Sequence, residues 1–272
     1  MTGKTAPPPP QQPAPPMQPL PAMFGKIEES GALRIGLFGP GGIGKTSLAV
    51  RAPGPVAVID LDKSLPVLGP QLKGLDVYPV KDMTDLKSIR KALQATANWS
   101  AIKTIVIDSF TRLEELIVAH TLATVPISPN NFATSVEGYG YGKGFTHVYE
   151  AFLKVLGDLD FHVSEGRNVV LVCHDCTEKV PNPTGDDWIR YEPRLQGGKA
   201  SIRLRTKEWL DHLFFIGYDV NVKKGKATSS GSRAIYPVEQ AHCMAKSRTL
   251  RDTIVYKEHS TELWDKLFGN SK

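Results

Sequence analysis

The chain has 272 residues and a mass of 29.8 kDa, which is enough for one large α/β domain or two small ones. Its composition (41% hydrophobic, 22% charged) is ordinary for a globular protein. Its apolar runs are shorter than the ~18 residues that a membrane span needs, and its three cysteines exclude a disulfide framework. We therefore expect a cytoplasmic protein. A net charge of +5 and a pI near 9.0 weakly favour an anionic partner.

The first 23 residues are rich in proline and poor in large apolar side chains. They hold nine of the 21 prolines, and they lack the apolar segment of a signal peptide. Such a segment cannot bury enough surface to offset the entropy of ordering. We therefore predict a disordered, partly polyproline-II tail over 1–23 and a folded domain over 24–272.

A short apolar run, LRIGLF, reads as a buried strand and is followed by GPGGIGKTS. This matches the G-x-x-x-x-G-K-[ST] pattern between a strand and a helix, whose backbone N–H groups surround phosphates. Lys45 would reach the β- and γ-phosphates, and the Thr46 hydroxyl would bind Mg²⁺. The sequence therefore predicts a P-loop that binds ATP and Mg²⁺. The predicted nucleotide-binding residues are Gly39, Pro40, Gly41, Gly42, Ile43, Gly44, Lys45, Thr46 and Ser47.

The next strand, in VAVIDLDKSL, ends with two carboxylates at the carboxyl edge of the predicted sheet. We expect only one of these two carboxylates to face the nucleotide. We interpret Asp60 as a cap of the following turn and Asp62 as the catalytic carboxylate. Capping by both residues is the alternative.

The run Ile105–Ile107 in KTIVIDSF ends in Asp108, the form of a Walker B strand, which would hold Mg²⁺ beside Thr46. The next residue is Ser109 and not Glu, so the catalytic base must come from elsewhere. This argues against AAA+ machines that carry an adjacent Asp-Glu pair.

Three stretches show helical spacing of apolar residues, at 86–97, 113–120 and 145–159.

Another apolar strand, NVVLVCHD, ends at His174 and Asp175, beside the expected γ-phosphate. A polar side chain there could sense the γ-phosphate and signal to the next loop. A histidine that merely ends a strand is the alternative. HLFFIG, at 212–217, reads as a late core strand, and HSTELWDKLFG as a closing helix.

Two segments, 134–149 and 177–199, lack strong periodicity and mix aromatic residues with cations. Rings that stack on bases and cations that meet phosphates suit single-stranded nucleic acid. The alternative is that Trp188 and Tyr191 anchor the second loop on the core. The candidate DNA contacts are Tyr139, Tyr141, Lys143, Lys179, Trp188, Arg190, Arg194 and Lys199.

The order of these motifs resembles the RecA recombinase family, and in particular the compact RecA-like ATPases that phages encode for single-strand annealing. VIDLDKSL resembles the strand with the catalytic glutamate, and VVLVCHD the sensor strand, where the family has Asn-Gln. LQGGKA is similar to the element that closes the second DNA-binding loop, and MAKSR to the basic pair that reaches the neighbouring subunit's ATP.

The resemblance, over about residues 30 to 257, implies a RecA-like α/β core with a mostly parallel sheet flanked by helices. It implies catalytic roles for Lys45, Asp62, Asp108 and His174, and contacts from Lys246 and Arg248 to ATP in trans, although both could be ordinary surface charges. It also implies a filament or ring of identical subunits, acting in the bacterial host cytoplasm if a phage encodes the chain.

Two functional hypotheses follow. The first is an ATPase that binds single-stranded DNA and supports recombination or annealing. The second is a nucleotide-switched loader or regulator that acts on a protein partner, with the Pro-rich tail as its docking segment.

Overall fold

The structure is a computed structural model that describes residues 31–223 and 226–269, with side chains between 220 and 230 left out. The predicted tail, 1–23, and the start of the predicted domain at Phe24 lie outside the described residues. The described part belongs to one compact unit that begins at Gly31. None of its helices is both long and apolar enough to cross a bilayer.

A mostly parallel sheet forms the centre of the fold. Its strands run in the order β13-β11-β10-β1-β7-β4-β2-β3, and β12 also pairs with β10. The pairs from β10 to β3 are all parallel, and the β10–β11, β11–β13 and β10–β12 pairs are antiparallel. The strands of this sheet are Arg34–Phe38 (β1), Val56–Asp60 (β2), Val77–Pro79 (β3), Thr104–Asp108 (β4), Asn168–Cys173 (β7), His212–Lys223 (β10), Lys226–Tyr236 (β11), Lys246–Ser247 (β12) and Ile254–Tyr256 (β13).

Two short hairpins stand outside the central sheet. One pairs Pro126–Ser128 (β5) with Asn131–Phe132 (β6), and the other pairs Asp175–Val180 (β8) with Trp188–Pro193 (β9). Because β8 begins two residues after β7 ends, the second hairpin leaves the sheet directly at the predicted sensor position.

Helices cover both faces of the sheet. The helices are Lys45–Ala49 (α1), Leu65–Leu72 (α2), Leu86–Gln94 (α3), Phe110–Thr124 (α4), Lys143–Ser164 (α5), Ile202–Trp209 (α6) and Glu262–Phe268 (α7). Side chains of α3, α4, α5 and α6 pack against one face of the sheet and form one core cluster with it. Side chains of α1, α2 and α7 form a second core cluster with the opposite face. The central strands read as continuous apolar runs because both of their faces are covered.

The predicted fold class is confirmed. The expected core strands appear as β1, β2, β4, β7 and β10, and the expected amphipathic helices as α3, α4 and α5. The two segments without periodicity differ from the loops expected there. The second half of 134–149 forms the first turns of α5, and most of 177–199 is the β8–β9 hairpin.

An ion-pair cluster explains why the second segment is ordered as a hairpin. The Arg203 guanidinium on α6 contacts the carboxylates of Glu178 on β8 (2.7 Å) and Glu192 on β9 (2.6 Å). Arg190, on β9, contacts Glu192 at 2.8 Å and Glu239 at 2.5 Å. Both arginine side chains are only 10% exposed and Glu192 is 8% exposed, so the two pairs with Glu192 are shielded from water, whereas Glu178 and Glu239 remain over 40% exposed. The two pairs of Arg203 tie the hairpin to α6.

A half-buried carboxylate on α4, that of Glu114, holds the segment that follows the hairpin. The Glu114 carboxylate accepts a hydrogen bond from the Gln196 backbone N–H at 2.7 Å. Burial raises the pKa of Glu114 to about 7, although the Gln196 bond and the nearby Arg203 oppose the shift. The folded chain therefore favours the protonated form of this side chain.

We predict that Glu114→Gln stabilises the protein at pH 8 relative to the natural chain. With a folded-state pKa above the unfolded value, the contribution of Glu114 to stability is fully present below about pH 4.5 and is lost as the pH rises through about 7. The difference between the two unfolding free energies, measured with urea, should therefore grow by up to about 3 kcal/mol between pH 5 and pH 8. The exposed neighbour Glu115→Gln is the matched control, and a pH-independent difference for Glu114→Gln would refute the prediction.

Candidate functional site

The parallel order of β1, β7, β4 and β2 brings their carboxyl ends to one edge of the sheet. Asp108, at the end of β4, lies in register with Asp60 on β2 and with Val172 on β7. The glycine-rich loop leaves β1 at the same edge and leads into α1. Polar groups that are distant in the sequence therefore converge where an open α/β sheet binds its ligand.

The loop needs glycine at two points for reasons visible in its packing. A Cβ on Gly39 would lie 2.1 Å from the carbonyl oxygen of Ile216 on β10, which no side chain can tolerate. Gly44 has a φ of 105° and precedes α1 directly, where a Cβ would meet the Tyr256 hydroxyl at 2.8 Å. The loop backbone is thus pressed against the sheet with no room for side chains at these positions.

Lys45 is buried at the centre of the site, with 7% of its surface exposed. Its ammonium donates hydrogen bonds to the carbonyl oxygens of Gly39 (2.7 Å) and Pro40 (2.8 Å). Burial lowers its pKa, and the carboxylates of Asp175 and Asp108 oppose that shift. A cation held in this way inside the loop is placed to bind phosphate oxygens.

Thr46 and Asp108 form the expected contact between the loop and the Walker B strand. The Thr46 hydroxyl donates to a carboxylate oxygen of Asp108 at 2.5 Å, and the Ser64 hydroxyl lies 3.4 Å from the same oxygen. Asp108 is 3% exposed, and burial raises its pKa to about 6, while the Thr46 hydrogen bond opposes the shift.

These two residues fit a magnesium ion by their chemistry. Mg²⁺ takes oxygen ligands and is usually bound through one or two protein groups together with water and phosphates. A hydroxyl and a buried carboxylate in contact meet that description. In the described part of the chain, no group of three or more His, Cys, Asp or Glu side chains could hold a metal on its own.

The two carboxylates that follow β2 have different surroundings. Asp60 accepts hydrogen bonds from the backbone N–H groups of Ser64 (2.9 Å) and Leu65 (3.0 Å), so it caps the turn into α2 as expected. Asp62 lies past the strand end, and one of its carboxylate oxygens is 3.1 Å from His174 Nε2. The structure therefore brings the predicted catalytic carboxylate and the predicted sensor together.

His174 also connects three elements through its main chain. Its backbone N–H donates to the Thr111 hydroxyl on α4 at 3.0 Å, and its carbonyl accepts from the Arg194 N–H at 2.9 Å. Arg194 follows β9 directly. The nucleotide edge and the base of the β8–β9 hairpin are thus joined by one residue.

Sequence reasoning missed a pair of side chains that hold the loop from the antiparallel side of the sheet. The Tyr256 hydroxyl on β13 donates to the Gly44 carbonyl at 2.8 Å, and the Arg233 guanidinium on β11 donates to the Ile43 carbonyl at 3.0 Å. Arg233 also lies over the Tyr256 ring, 4.8 Å from its centroid. No motif marks these residues, because their role depends on the pairing of β11 with β13.

The candidate DNA contacts are spread over two regions and differ in availability. Tyr139 departs from the expectation: it is 9% exposed, and its hydroxyl donates to the carbonyls of Thr121 and Val125, so it supports its segment from inside. Arg190 departs as well, because its guanidinium is occupied by two glutamates. Lys179 pairs with Asp187 at 2.8 Å but is 72% exposed. The candidates that are exposed as expected are Tyr141, Lys143, Trp188, Arg194 and Lys199.

Lys246 and Arg248 lie at the opposite edge of the sheet from the glycine-rich loop. Lys246, on β12, pairs with Leu213 near the start of β10, and its ammonium donates to the carbonyls of Lys207, Glu208 and Leu210. Arg248 is exposed and contacts Asp211 at 3.0 Å. Neither residue can reach the phosphate loop of its own chain, so the predicted contact in trans stays a prediction.

A glycine-rich phosphate loop, a buried lysine within it and an Mg²⁺-type Thr-Asp pair at the carboxyl edge of a parallel sheet define a P-loop nucleotide-binding protein. The chain belongs to the AAA domain family, whose sequence model matches residues 32–249. As the sequence indicates, Asp108 is followed by Ser109 and not by Glu, and the Ser109 hydroxyl caps α4 by accepting from the Arg112 N–H.

Among solved structures, the chain is similar to a KaiC-like protein from the hyperthermophilic archaeon Pyrococcus horikoshii, with 12% identity and a TM-score of 0.45. The match covers 84% of this chain and 86% of the other. No curated protein matches. Family membership supports the coarser part of the sequence interpretation, a P-loop ATPase that uses a nucleotide and, typically for this class, Mg²⁺.

We predict that Lys45→Ala weakens binding of ATP and ADP by about 10- to 100-fold, because it removes a charged hydrogen-bond donor from a buried phosphate site. Titration of a fluorescent nucleotide would measure the change. Lys154→Ala, an exposed lysine on α5, is the matched control and should bind as the natural chain does. Equal affinity in all three proteins would exclude the loop as the nucleotide site.

Proposed function

We propose that the protein is an ATPase that binds single-stranded DNA in its ATP-bound form and supports phage-type strand annealing or recombination. The observation that carries this proposal is the position of His174. Its side chain contacts Asp62 in the nucleotide site, and its carbonyl contacts Arg194 at the base of the β8–β9 hairpin.

The chain's own residues can support hydrolysis at this edge. The Asp62 carboxylate would accept the proton of the attacking water, and His174, at 3.1 Å, would hold that carboxylate in position. Lys45 would stabilise the charge that develops on the transferred phosphoryl group. Bound through Thr46 and Asp108, Mg²⁺ would neutralise phosphate charge.

The ATP-dependent change would be passed to the hairpin through the backbone of residues 174 and 175. His174 follows β7 directly, and Asp175 begins β8 and pairs with Pro193. A shift of His174 toward a γ-phosphate would move the first pair of the hairpin and the Arg194 contact together. ATP would thereby favour one orientation of the hairpin over another.

The hairpin and the start of α5 supply the proposed DNA surface. Trp188 and Tyr141 offer exposed rings for stacking, and Lys143, Arg194 and Lys199 offer cations for the phosphates. Asp186 and Asp187 oppose this attraction at the hairpin tip. Stacking would therefore contribute a large part of the affinity, beside a salt-dependent electrostatic part.

A homo-oligomer completes the proposal. Lys246 and Arg248 lie at the sheet edge away from their own phosphate loop, so they can act on ATP only across a subunit interface. Arg248 has the exposure that such a role needs, whereas Lys246 would first have to leave three carbonyl partners. Of the two, Arg248 is the better candidate.

The first test is steady-state ATP hydrolysis with and without single-stranded DNA, at low and moderate salt. We expect a several-fold, salt-sensitive stimulation by DNA that is lost in Lys45→Ala, because strand binding and the ATP-bound form stabilise each other. Unchanged hydrolysis, together with no retention of DNA in a non-hydrolysable ATP analogue, would contradict the proposal. That result would favour a switch acting on a protein partner.

The second test separates Asp62 from nucleotide binding. We expect Asp62→Asn to lower the turnover number by about 10²- to 10⁴-fold and to leave ADP affinity within about twofold, because the amide cannot accept the water proton. Asp82→Asn, on an exposed turn, is the control. A normal turnover number in Asp62→Asn would assign the base to another residue.

A further inference from the structure

An aromatic pocket lies between the phosphate loop and the β8–β9 hairpin and shares Pro40 with the site described above. It has a volume of about 340 Å³, within the range of small-molecule pockets. Its walls come from Pro40 of the phosphate loop, Tyr191 of β9 and the rings of Phe215, Tyr236 and His242. It thus joins three parts of the protein that the proposed function requires to communicate.

The rings form a layered arrangement. Tyr191 stacks on Phe215 with a centroid distance of 5.1 Å and an interplanar angle of 14°, and Tyr236 stacks on the same ring at 5.9 Å and 29°. His242 stands almost perpendicular to Tyr236, at 5.0 Å and 83°. Phe215 is buried, whereas Tyr191 is 38% exposed. His242 is also exposed, so the layered rings offer accessible flat surfaces that suit a flat ligand.

Gly217 makes this arrangement possible on strand β10. A Cβ at this position would lie 2.6 Å from the Phe215 ring, so any other residue would push the ring aside. At Gly217 the wall of the pocket is therefore formed by backbone atoms, and beside it by the Phe215 ring. No charged side chain lines the pocket within the described residues.

The chemistry of the lining selects against phosphate and in favour of an uncharged ring. Burial lowers the pKa of His242, so its imidazole is neutral at neutral pH, and burial raises the pKa of Tyr236, so its phenol stays protonated. Neutral rings with hydroxyl and imidazole groups at their edges can stack on a heterocycle and form hydrogen bonds with it.

We propose that this pocket takes one unstacked nucleobase of the bound single strand. The inference rests on the proposed function and adds to it the place where a base is held. Tyr191 belongs to the hairpin, and its backbone pairs with that of His242 (2.8 Å) and Met244 (2.9 Å), so hairpin and pocket move together. The Pro40 carbonyl accepts from Lys45, so the base would lie against the loop that holds the phosphates.

The base of the bound nucleotide is the other source of the same chemistry. Phe215 packs in the core cluster of α3 to α6, whereas α1, at whose start the phosphates bind, packs in the cluster on the other face with Phe214. The pocket therefore shares its face of the sheet with α6, to which the hairpin is tied, rather than with α1. This placement favours a base from the strand.

The test compares three proteins and three probes. The proteins are the natural chain, Tyr191→Ala and, as matched control, Tyr78→Ala, whose exposed tyrosine lies at the opposite side of the sheet on β3. The probes are fluorescein-labelled oligothymidylate, a labelled abasic strand of equal length, and a fluorescent ADP. Both strands are titrated with a non-hydrolysable ATP analogue present, and anisotropy reports binding.

We expect Tyr191→Ala to weaken oligothymidylate binding by roughly 5- to 150-fold, which is the stacking of one base. Binding of the abasic strand and of ADP should change by less than about twofold, and Tyr191→Phe should restore the oligothymidylate affinity. His242→Ala gives a second reading from an exposed residue if Tyr191→Ala folds poorly.

Four outcomes would overturn the inference, and each has a different meaning. Equal weakening of the normal and the abasic strand would show that Tyr191 supports the hairpin without holding a base. Weakened ADP binding with unchanged DNA binding would assign the pocket to the nucleotide's own base. Normal DNA binding by Tyr191→Ala and by His242→Ala would refute the proposed base pocket and leave the proposed function standing. No DNA binding by the natural chain would refute the proposed function itself.

Discussion

The contact between Thr46 and Asp108 is the constraint on which the nucleotide site depends. It joins the first helical turn after the phosphate loop to the end of β4, across the intervening strand β7. The loop can make this contact only because Gly39 lets its backbone lie against β10 and because Lys45 closes the loop by binding two of its carbonyls. Burial raises the pKa of Asp108 and lowers that of Lys45, so each group favours a charged ligand that compensates for its lost hydration. The site is therefore preorganised for phosphate and a divalent cation.

The parts of this site that sequence reasoning could find are those encoded locally. The loop pattern spans eight residues, and Asp60, Asp62, Asp108 and His174 each follow an apolar run that must be a buried strand. Parallel pairing then brings these strand ends together with no further information. The Arg233–Tyr256 pair could not be found in this way. Its contacts with Ile43 and Gly44 depend on an antiparallel register between β11 and β13, which no short pattern reports.

The number of basic residues in a segment does not tell which of their charges are free to bind a ligand. The segment 177–199 reads as a cationic loop, yet the structure pairs Arg190 with Glu192 and Glu239, and pairs Arg203 with Glu178 and Glu192. Two of these carboxylates, Glu178 and Glu192, lie on the two strands of the hairpin, and Glu178 is directly opposite Arg190. The charges that suggest a cationic loop in the sequence therefore belong to a paired β-hairpin. Cations buried in such pairs stabilise the hairpin and are lost to a nucleic acid. A count of the basic residues in this segment therefore overstates the cations that the hairpin can offer to a nucleic acid.

The main-chain contacts of His174 place the connection between nucleotide and hairpin in the backbone. The side chain meets Asp62, while the N–H and the carbonyl of the same residue bind Thr111 and Arg194. In the proposed mechanism, a change of side chain at this position would alter the sensing of the γ-phosphate but would leave both main-chain bonds in place. On that proposal, His174 and Asp175 could stand where the resembling family has Asn-Gln and keep the path to the hairpin, because the path runs through the backbone between β7 and β8.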